Sequence, residues 1–108
     1  MKLLKPVSLI FMSLLLTAVI GFAQNAETLY KSKCAACHGP DGAGATTMGK
    51  KLGVKDFRAP EVSKQSDAEL FEITKKGKNK MPSYDKKLTD DQIKDLIKYI
   101  RNLCKDCK

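Results

Sequence analysis

The sequence contains no tryptophan, only one histidine, and only 6% aromatic residues. The few aromatic side chains are too scattered to form a platform on which nucleic-acid bases could stack. No stretch alternates apolar and polar residues for long enough to predict a β-strand, and no internal repeat is present. These absences exclude a base-stacking nucleic-acid binder and favour an all-α fold with long loops.

The chain length of 108 residues allows one small domain. Its first segment places Lys2 and Lys5 before a long uncharged run, which ends in small residues at the positions that a signal peptidase recognises. This pattern predicts a secretory signal peptide over residues 1–23 and an exported domain over residues 24–108. The alternative is an uncleaved membrane anchor, since the apolar run is close to the minimum length that spans a bilayer.

Export changes the interpretation of the four cysteines. Outside the cytoplasm, thiols form disulfides or are consumed in a dedicated covalent linkage.

Lys2 and Lys5 are the only charged residues of the signal segment, so the remaining domain keeps a net charge of +6. A domain of this size buries only about 60% of its unfolded surface. A cofactor or a covalent staple is therefore expected to complete its core.

Helix-start patterns predict three main helices. Thr89 with Gln92 forms a capping box before the last helix, and Ser66 with Glu69 forms another before the middle one. The first helix is expected to begin near Asn25. Between residues 38 and 57, five glycines indicate a loop with one short helical turn near 48–52. Long loops in so small a domain usually wrap around something.

The segment CAACH contains Cys34, Cys37 and His38 in the spacing of a c-type haem attachment site. On one helical turn both sulfurs face the same way, so they can form thioethers with the two vinyl groups of one porphyrin. His38 then lies beneath the iron and can bind it. Two alternatives are weaker: a Cys34–Cys37 disulfide gives His38 no role, and a thioredoxin-like pair needs a βαβ unit that this chain lacks.

The second axial position on the iron decides between a carrier and a catalyst. Because His38 is the only histidine, bis-histidine ligation within one molecule is excluded. Met48 lies in the glycine-rich loop and is expected to be a wall residue or exposed. Met81 follows His38 by 43 residues, after a helix expected to end at Gly77, so the chain can return to the opposite face of the ring. Met81 is the predicted axial ligand. The alternative is an open iron site that binds peroxide or a gas. This alternative is weaker, because the chain has no second histidine to serve as a distal base.

Taken together, CAACHG, the glycine-rich loop, KMPSY and DQIKDLIKYI resemble the small single-haem class I cytochromes c of bacterial and photosynthetic type. The resemblance extends over most of residues 26–103 and implies one covalent haem c enclosed by helices and long loops. It also implies that the first and last helices cross beside the haem. The contacts expected at this crossing join Leu29 and Tyr30 to Leu96, Tyr99 and Ile100.

The resemblance also raises a question about the second nitrogen of His38. Family members often pair it with a backbone carbonyl before a proline in the following loop, but here the candidates are Pro40, next to the motif, and the distant Pro60. A partner for this nitrogen is expected on physical grounds, although the sequence does not name one.

The expected activity is one-electron transfer by Fe(III)/Fe(II) cycling between redox partners, with no small-molecule substrate and no enzymatic reaction. We expect a monomer. Six lysines near Met81 predict a docking rim for an acidic redox protein. The alternative is a solvated loop that keeps the protein soluble. The lysines are Lys75, Lys76, Lys78, Lys80, Lys86 and Lys87.

A second Cys-x-x-Cys pair, Cys104 and Cys107, ends the sequence. A four-cysteine metal site with Cys34 and Cys37 is disfavoured, because 66 residues separate the two pairs where common zinc modules have roughly 15–20. A disulfide between Cys104 and Cys107 is the favoured prediction. A reactive dithiol would have its thiolate opposed by the helix C-terminus. A second haem, bound by the two cysteines with Lys108 as its ligand, is disfavoured because no further chain would be left to cover it.

Overall fold

The computed structural model describes residues 21–104, with side chains from Ala26 onward. Six α-helices and no β-strand lie in this range, which confirms the all-α prediction. In chain order the helices are α1 (Gly21–Lys33), α2 (Ala35–His38), α3 (Thr47–Leu52), α4 (Pro60–Ser63), α5 (Asp67–Lys76) and α6 (Asp90–Leu103).

Both predicted capping boxes are present. Ser66 accepts a hydrogen bond from the backbone N–H of Glu69 at 3.1 Å, and the Glu69 carboxylate accepts one from the Ser66 N–H at 2.8 Å. Thr89 and Gln92 form the same reciprocal pair at the start of α6. These bonds satisfy N–H groups that have no partner inside the helix, so the sequence fixes where α5 and α6 begin.

The start of α1 and the presence of α4 differ from the prediction. The structure describes α1 from Gly21 rather than from near Asn25. The predicted turn near 48–52 is confirmed as α3. The single turn α4 was not predicted, although Pro60 stands at its start, where the missing N–H costs nothing and the fixed φ suits a helix.

The predicted signal segment, residues 1–23, lies almost entirely outside the described residues and stays a prediction. Within the described residues, no helix combines the length and apolar character needed to cross a membrane.

Helices α1 and α6 pack against each other through the most buried side chains of the described core. Tyr30 is 0% exposed and Leu96 is 1% exposed. The rings of Tyr30 and Tyr99 lie 5.1 Å apart between centroids. Ala26, one turn before Tyr30, is also buried, and its small side chain permits the close approach. The crossing of the first and last helices is confirmed.

Two arginines fasten the connecting segments to the end of α6. Arg58 donates to the carbonyls of Asp41 at 3.0 Å and Leu103 at 3.3 Å. Arg101, in the last turn of α6, donates to the carboxylate of Asp67 at 3.0 Å and the carbonyl of Gln65 at 2.6 Å. The loops before and after α4 are therefore held against α6, where they form one wall of a cavity.

Candidate haem-binding site

A cavity of about 380 Å³ brings together the four side chains that the sequence singles out as haem ligands. Cys34, Cys37 and His38 lie on its wall, and so does Met81, which is 43 residues further along the chain than His38. The cavity surface is mainly apolar, as a porphyrin ring requires, and eight of its remaining residues are aliphatic. The aliphatic residues are Leu52, Val54, Val62, Leu70, Ile73, Leu96, Ile97 and Ile100.

The cysteine side of the cavity is built on α2. Cys34 is the N-cap residue of this single turn, and the N–H of His38 donates to the Cys34 carbonyl at 2.9 Å. The Thr46 hydroxyl donates to the Ala36 carbonyl at 2.7 Å and accepts from the Gly49 N–H at 2.9 Å. Helix α3 thereby holds the turn that carries both cysteines.

Neither cysteine of this turn forms a disulfide. Burial raises the pKa of the Cys34 thiol to about 11. In the folded chain this sulfur is therefore protonated at neutral pH.

His38 is the last residue of α2, and its ring stacks on Phe57 with centroids 4.7 Å apart and planes 25° apart. Burial lowers the pKa of His38, which favours the neutral imidazole, the form that binds metals. Its Nδ1 atom is buried and has no hydrogen-bond partner among the described residues. The expected acceptor is therefore not found there, and no local pattern in the sequence predicts the aromatic contact with Phe57.

Met81 reaches the cavity from a tight turn that follows α5. The N–H of Lys78 donates to the Met81 carbonyl at 3.1 Å, and the N–H of Met81 donates back at 2.9 Å. Asn79, inside the turn, has a φ of 54°, a left-handed conformation that asparagine tolerates better than most residues. Gly77 ends α5 with a φ of 80°. Its backbone packs against the Met81–Ser83 segment.

Tyr84 connects the two sides of the site. Its hydroxyl donates to the carbonyl of Lys33, at the end of α1, across 3.0 Å. Burial raises the pKa of Tyr84, so the phenol remains a donor at neutral pH. The loop with Met81 is thereby tied to the helix that leads into Cys34.

Met48 does not share this position. It is 50% exposed, and it does not line the cavity of the described residues. The expectation that Met48 is a wall or exposed residue agrees with this placement, which leaves Met81 as the methionine on the cavity wall.

The six lysines of the predicted docking rim differ in their surroundings. Lys75 lies 3.1 Å from a carboxylate oxygen of Asp90, and the hydrogen bond to Asp90 raises the pKa of Lys75. Lys76 forms an ion pair within α5. Lys78 and Lys80 are exposed and line the cavity beside Met81. The remaining two, Lys86 and Lys87, are also exposed.

Cys104 follows α6, is 1% exposed and lines the same cavity. It is disulfide-bonded, so its sulfur does not act as a thiolate ligand in a four-cysteine metal site. Among the residues described, no cluster of three or more histidine, cysteine or acidic side chains could hold a metal ion. Cys107 and Lys108 lie outside the described residues, and the Cys104–Cys107 pairing stays a prediction.

Comparison with known proteins agrees with this geometry. Residues 21–100 match the family model described as "Cytochrome C oxidase, cbb3-type, subunit III". The chain belongs to the c-type cytochromes. Cytochrome c6 of Porphyra purpurea is 34% identical over 101 residues, covering 82% of this chain and 89% of that protein. Cytochrome c6 of Thermostichus vulcanus is 32% identical, with 84% and 79% covered.

Two further relatives widen the comparison of this c-type cytochrome. Cbb3-type cytochrome c oxidase subunit CcoP of Azospirillum brasilense is 32% identical over 75% of this chain, but over only 28% of that subunit. The solved structure of the KustC0563 c-type cytochrome superposes with a TM-score of 0.66 at 32% identity. It covers 72% of this chain and 95% of that one. The chain is a small class I cytochrome c and carries one covalent haem c.

The residues on the cavity wall fit such a haem. Two cysteines outside any disulfide stand three residues apart on one turn, an imidazole follows them, and a thioether lies on the wall of the same cavity. This donor set matches the two covalent bonds and the Met/His ligation used by cytochromes c. As a c-type cytochrome, the protein is an electron carrier with redox proteins as partners.

Proposed function

We propose that this cytochrome is an exported one-electron carrier whose haem is bound by Cys34 and Cys37 and ligated by His38 and Met81. The observation that carries the proposal is the single cavity onto which all four side chains project. Nothing local brings Met81 there, since 43 residues separate it from His38.

The side chains have separate roles in this proposal. When bound, the haem supplies a one-electron Fe(III)/Fe(II) couple. Cys34 and Cys37 would hold the macrocycle covalently, and His38 and Met81 would ligate its iron, which would leave no coordination site for a substrate. The thioether of Met81 donates weakly, and the mainly apolar cavity surface shields a bound ring from water. Both effects favour the ferrous form and a high potential. The protein therefore transfers electrons and does not act as an enzyme.

The ligation is tested with Met81→Ala in the haem-loaded protein. The variant should lose the weak red-end absorption band of a ferric iron–methionine bond and should bind carbon monoxide in the ferrous state. Met48→Ala is the matched control, because Met48 is 50% exposed, and it should retain the band. Carbon monoxide binding by the ferrous wild-type protein would show an open axial site and contradict the proposal.

Export and cleavage of residues 1–23 are part of the same proposal. Lys2 and Lys5 before an uncharged run, with small residues at its end, support them. The intact mass of the secreted protein reports the cleavage site and the number of haems together. A mass that includes residues 1–23 would instead support the membrane-anchored form.

The proposed partners are acidic redox proteins that meet the monomeric cytochrome at the mouth of its cavity. Lys78 and Lys80 support this, because both are exposed and lie on the cavity wall with Met81. Lys75 and Lys76, in contrast, are neutralised by neighbouring carboxylates. An electrostatic contact of this kind raises the rate of encounter and weakens with added salt.

The sign of this surface is tested with two inorganic oxidants of opposite charge. The double variant Lys78→Glu/Lys80→Glu should slow oxidation of the ferrous protein by anionic ferricyanide and speed oxidation by a cationic cobalt complex. Lys94→Glu/Lys98→Glu carries the same charge change on exposed positions of α6 outside the cavity wall and should change both rates less. Equal effects of the two double variants would contradict a docking site at Lys78 and Lys80.

A further inference from the structure

Two observations converge on the imidazole of His38. Its Nδ1 atom is buried without a hydrogen-bond partner among the described residues. Its ring is stacked on Phe57 at 4.7 Å. A ligating histidine usually donates its second N–H to an acceptor, and that bond fixes the ring orientation. In this chain a different contact has to fix the plane of the ring.

Three backbone carbonyls near His38 accept hydrogen bonds from groups other than its Nδ1. The Gly39 carbonyl accepts from the Tyr30 hydroxyl at 2.6 Å. The carbonyl of His38 itself accepts from the Gly44 N–H at 2.8 Å, and that of Gly42 accepts from the Phe57 N–H at 2.9 Å. Backbone hydrogen bonds fold the loop after the CAACH motif around His38, and the buried Nδ1 has no hydrogen-bond partner among the described residues.

Phe57 is itself held firmly. The side chain is 7% exposed, and its backbone N–H is bonded to Gly42. Gly42 has a φ of 77°, and a Cβ at that position would overlap the Phe57 ring. The next residue, Arg58, is bonded to the carbonyls of Asp41 and Leu103. Phe57 thus presents a rigid aromatic face to His38.

We propose that Phe57 is the positioning residue for the proximal ligand: stacking on Phe57 sets the plane of the His38 imidazole in place of a hydrogen bond from Nδ1. An imidazole whose second N–H is unbonded is a weaker donor to iron, which favours the ferrous state. The inference rests on the proposed ligation by His38 and Met81 and adds a determinant of the ring plane and of the potential.

The experiment uses the haem-loaded full chain and three substitutions. Phe57→Leu removes the aromatic face and keeps an apolar side chain, whereas Phe57→Tyr keeps the face. Phe71→Leu is the matched control, because Phe71 is a half-buried core residue outside the cavity wall of the described residues. The readouts are the red-end band, the NMR shifts of the haem methyl groups in the ferric protein, which report the axial ligand planes, and the midpoint potential.

We expect Phe57→Leu to keep the red-end band but to alter the spread of the haem methyl shifts. Its Fe(III)/Fe(II) equilibrium should move toward Fe(III) by about tenfold, or about 59 mV for one electron, because a freed imidazole can bond water through Nδ1. Phe57→Tyr and Phe71→Leu should resemble the wild type. Wild-type methyl shifts and potential in Phe57→Leu would overturn the inference while leaving the ligation intact.

A second measurement needs no variant. In a crystal structure of the haem-loaded wild type, the Phe57 ring should lie against His38 and Nδ1 should have no protein acceptor within about 3.2 Å. A carbonyl or carboxylate oxygen within that distance overturns the inference even if Phe57→Leu fails to fold. Absence of the red-end band from the wild type would instead overturn the axial ligation, and the inference with it.

Discussion

The buried Tyr30 hydroxyl stabilises the fold through a single hydrogen bond. Tyr30 is 0% exposed and donates to the Gly39 carbonyl at 2.6 Å, beside the haem-attachment turn. Burial raises the pKa of Tyr30 well above its ordinary value, so the phenol keeps its proton throughout the physiological range. This bond joins α1 to the residue that directly follows His38.

Removal of this bond should destabilise the fold. Tyr30→Phe leaves the Gly39 carbonyl without its donor in a buried place, which should lower the free energy of unfolding by about 1–3 kcal/mol. Guanidinium unfolding of the haem-loaded protein measures the loss. Tyr99→Phe is the control, since Tyr99 contributes its ring to the Tyr30 contact, and the variant should unfold close to the wild type. Equal losses in both variants would contradict a specific role for the Tyr30 hydroxyl.

The residues of the site differ in how far the sequence predicts them. Cys34, Cys37 and His38 follow from local geometry, because residues three apart on one turn face the same side. Met81 follows from its distance along the chain, and the structure puts it on the same cavity wall. The stack of Phe57 on His38 depends on how the glycine-rich loop folds back, which no local pattern in the sequence encodes.

At the scale of elements, the end of α5 controls where Met81 lies. Gly77 has a φ of 80°, and a Cβ there would lie 2.8 Å from the Met81 carbonyl oxygen. Gly77→Ala should lower the free energy of unfolding by about 1–3 kcal/mol from the backbone alone, because a φ of 80° with a ψ of 164° is essentially restricted to glycine. It should also displace the Met81 turn and weaken the red-end band.

Gly53 provides the control for this substitution. Its φ of 67° is also positive and lies with its ψ of 32° in the left-handed helical region, but a Cβ there would meet nothing within 4 Å. Gly53→Ala should therefore show the backbone cost in unfolding experiments and retain the red-end band. Loss of the band in both variants would show that general destabilisation, rather than contact with Met81, releases the ligand.

Lys75 joins the end of α5 to the start of α6 through Asp90. Because Asp90 raises the pKa of Lys75, the folded state binds this proton more tightly than the unfolded state does. The stabilisation is present below the unfolded pKa and disappears as the pH rises through the folded one. The stability difference between wild type and Lys75→Met should thus be constant near neutral pH and vanish in strong alkali. A difference independent of pH would contradict the pairing.

Helix starts can be predicted from neighbouring residues in the sequence, whereas contacts between helices cannot. Ser66 and Thr89 are followed three residues later by Glu69 and Gln92, and each pair satisfies the start of its own helix. The partner of Lys75 was not predicted, because Asp90 approaches only when α5 and α6 pack together. Local caps can be predicted from sequence, whereas contacts between elements depend on the packed fold.

For the molecule as a whole, Cys104 secures the end of α6 against the core. It is 1% exposed and disulfide-bonded. The proposed bond to Cys107 closes a very short loop, so its reduction should lower the free energy of unfolding by about 2 kcal/mol. Unfolding with and without a phosphine reductant measures this, since the haem thioethers resist reduction. An unfolding curve that the reductant leaves unchanged would contradict a stabilising disulfide.

The class of fold was predictable because the motifs occur in a fixed order and the apolar face of α6 is clear, with Ile93, Leu96 and Ile97 all buried. The sequence does not predict which distant segments form hydrogen bonds with each other. Tyr84 bonds to the Lys33 carbonyl, and Arg58 bonds to Leu103. Such pairs close the cavity, yet each member alone is an ordinary polar residue in a loop or at a helix end.

The burial of Cys34 bears on whether haem attachment precedes or follows the folding of the last helix. Only a thiolate is a strong nucleophile, and in the folded chain the pKa of Cys34 is about 11. A chain that had already closed α6 over the cavity would react slowly at this sulfur. Cys34, Cys37 and His38 are synthesised long before α6, so attachment can proceed while the cavity is still open. Under the proposed attachment at Cys34 and Cys37, we therefore expect the covalent bonds to form before the final helix closes over the cavity.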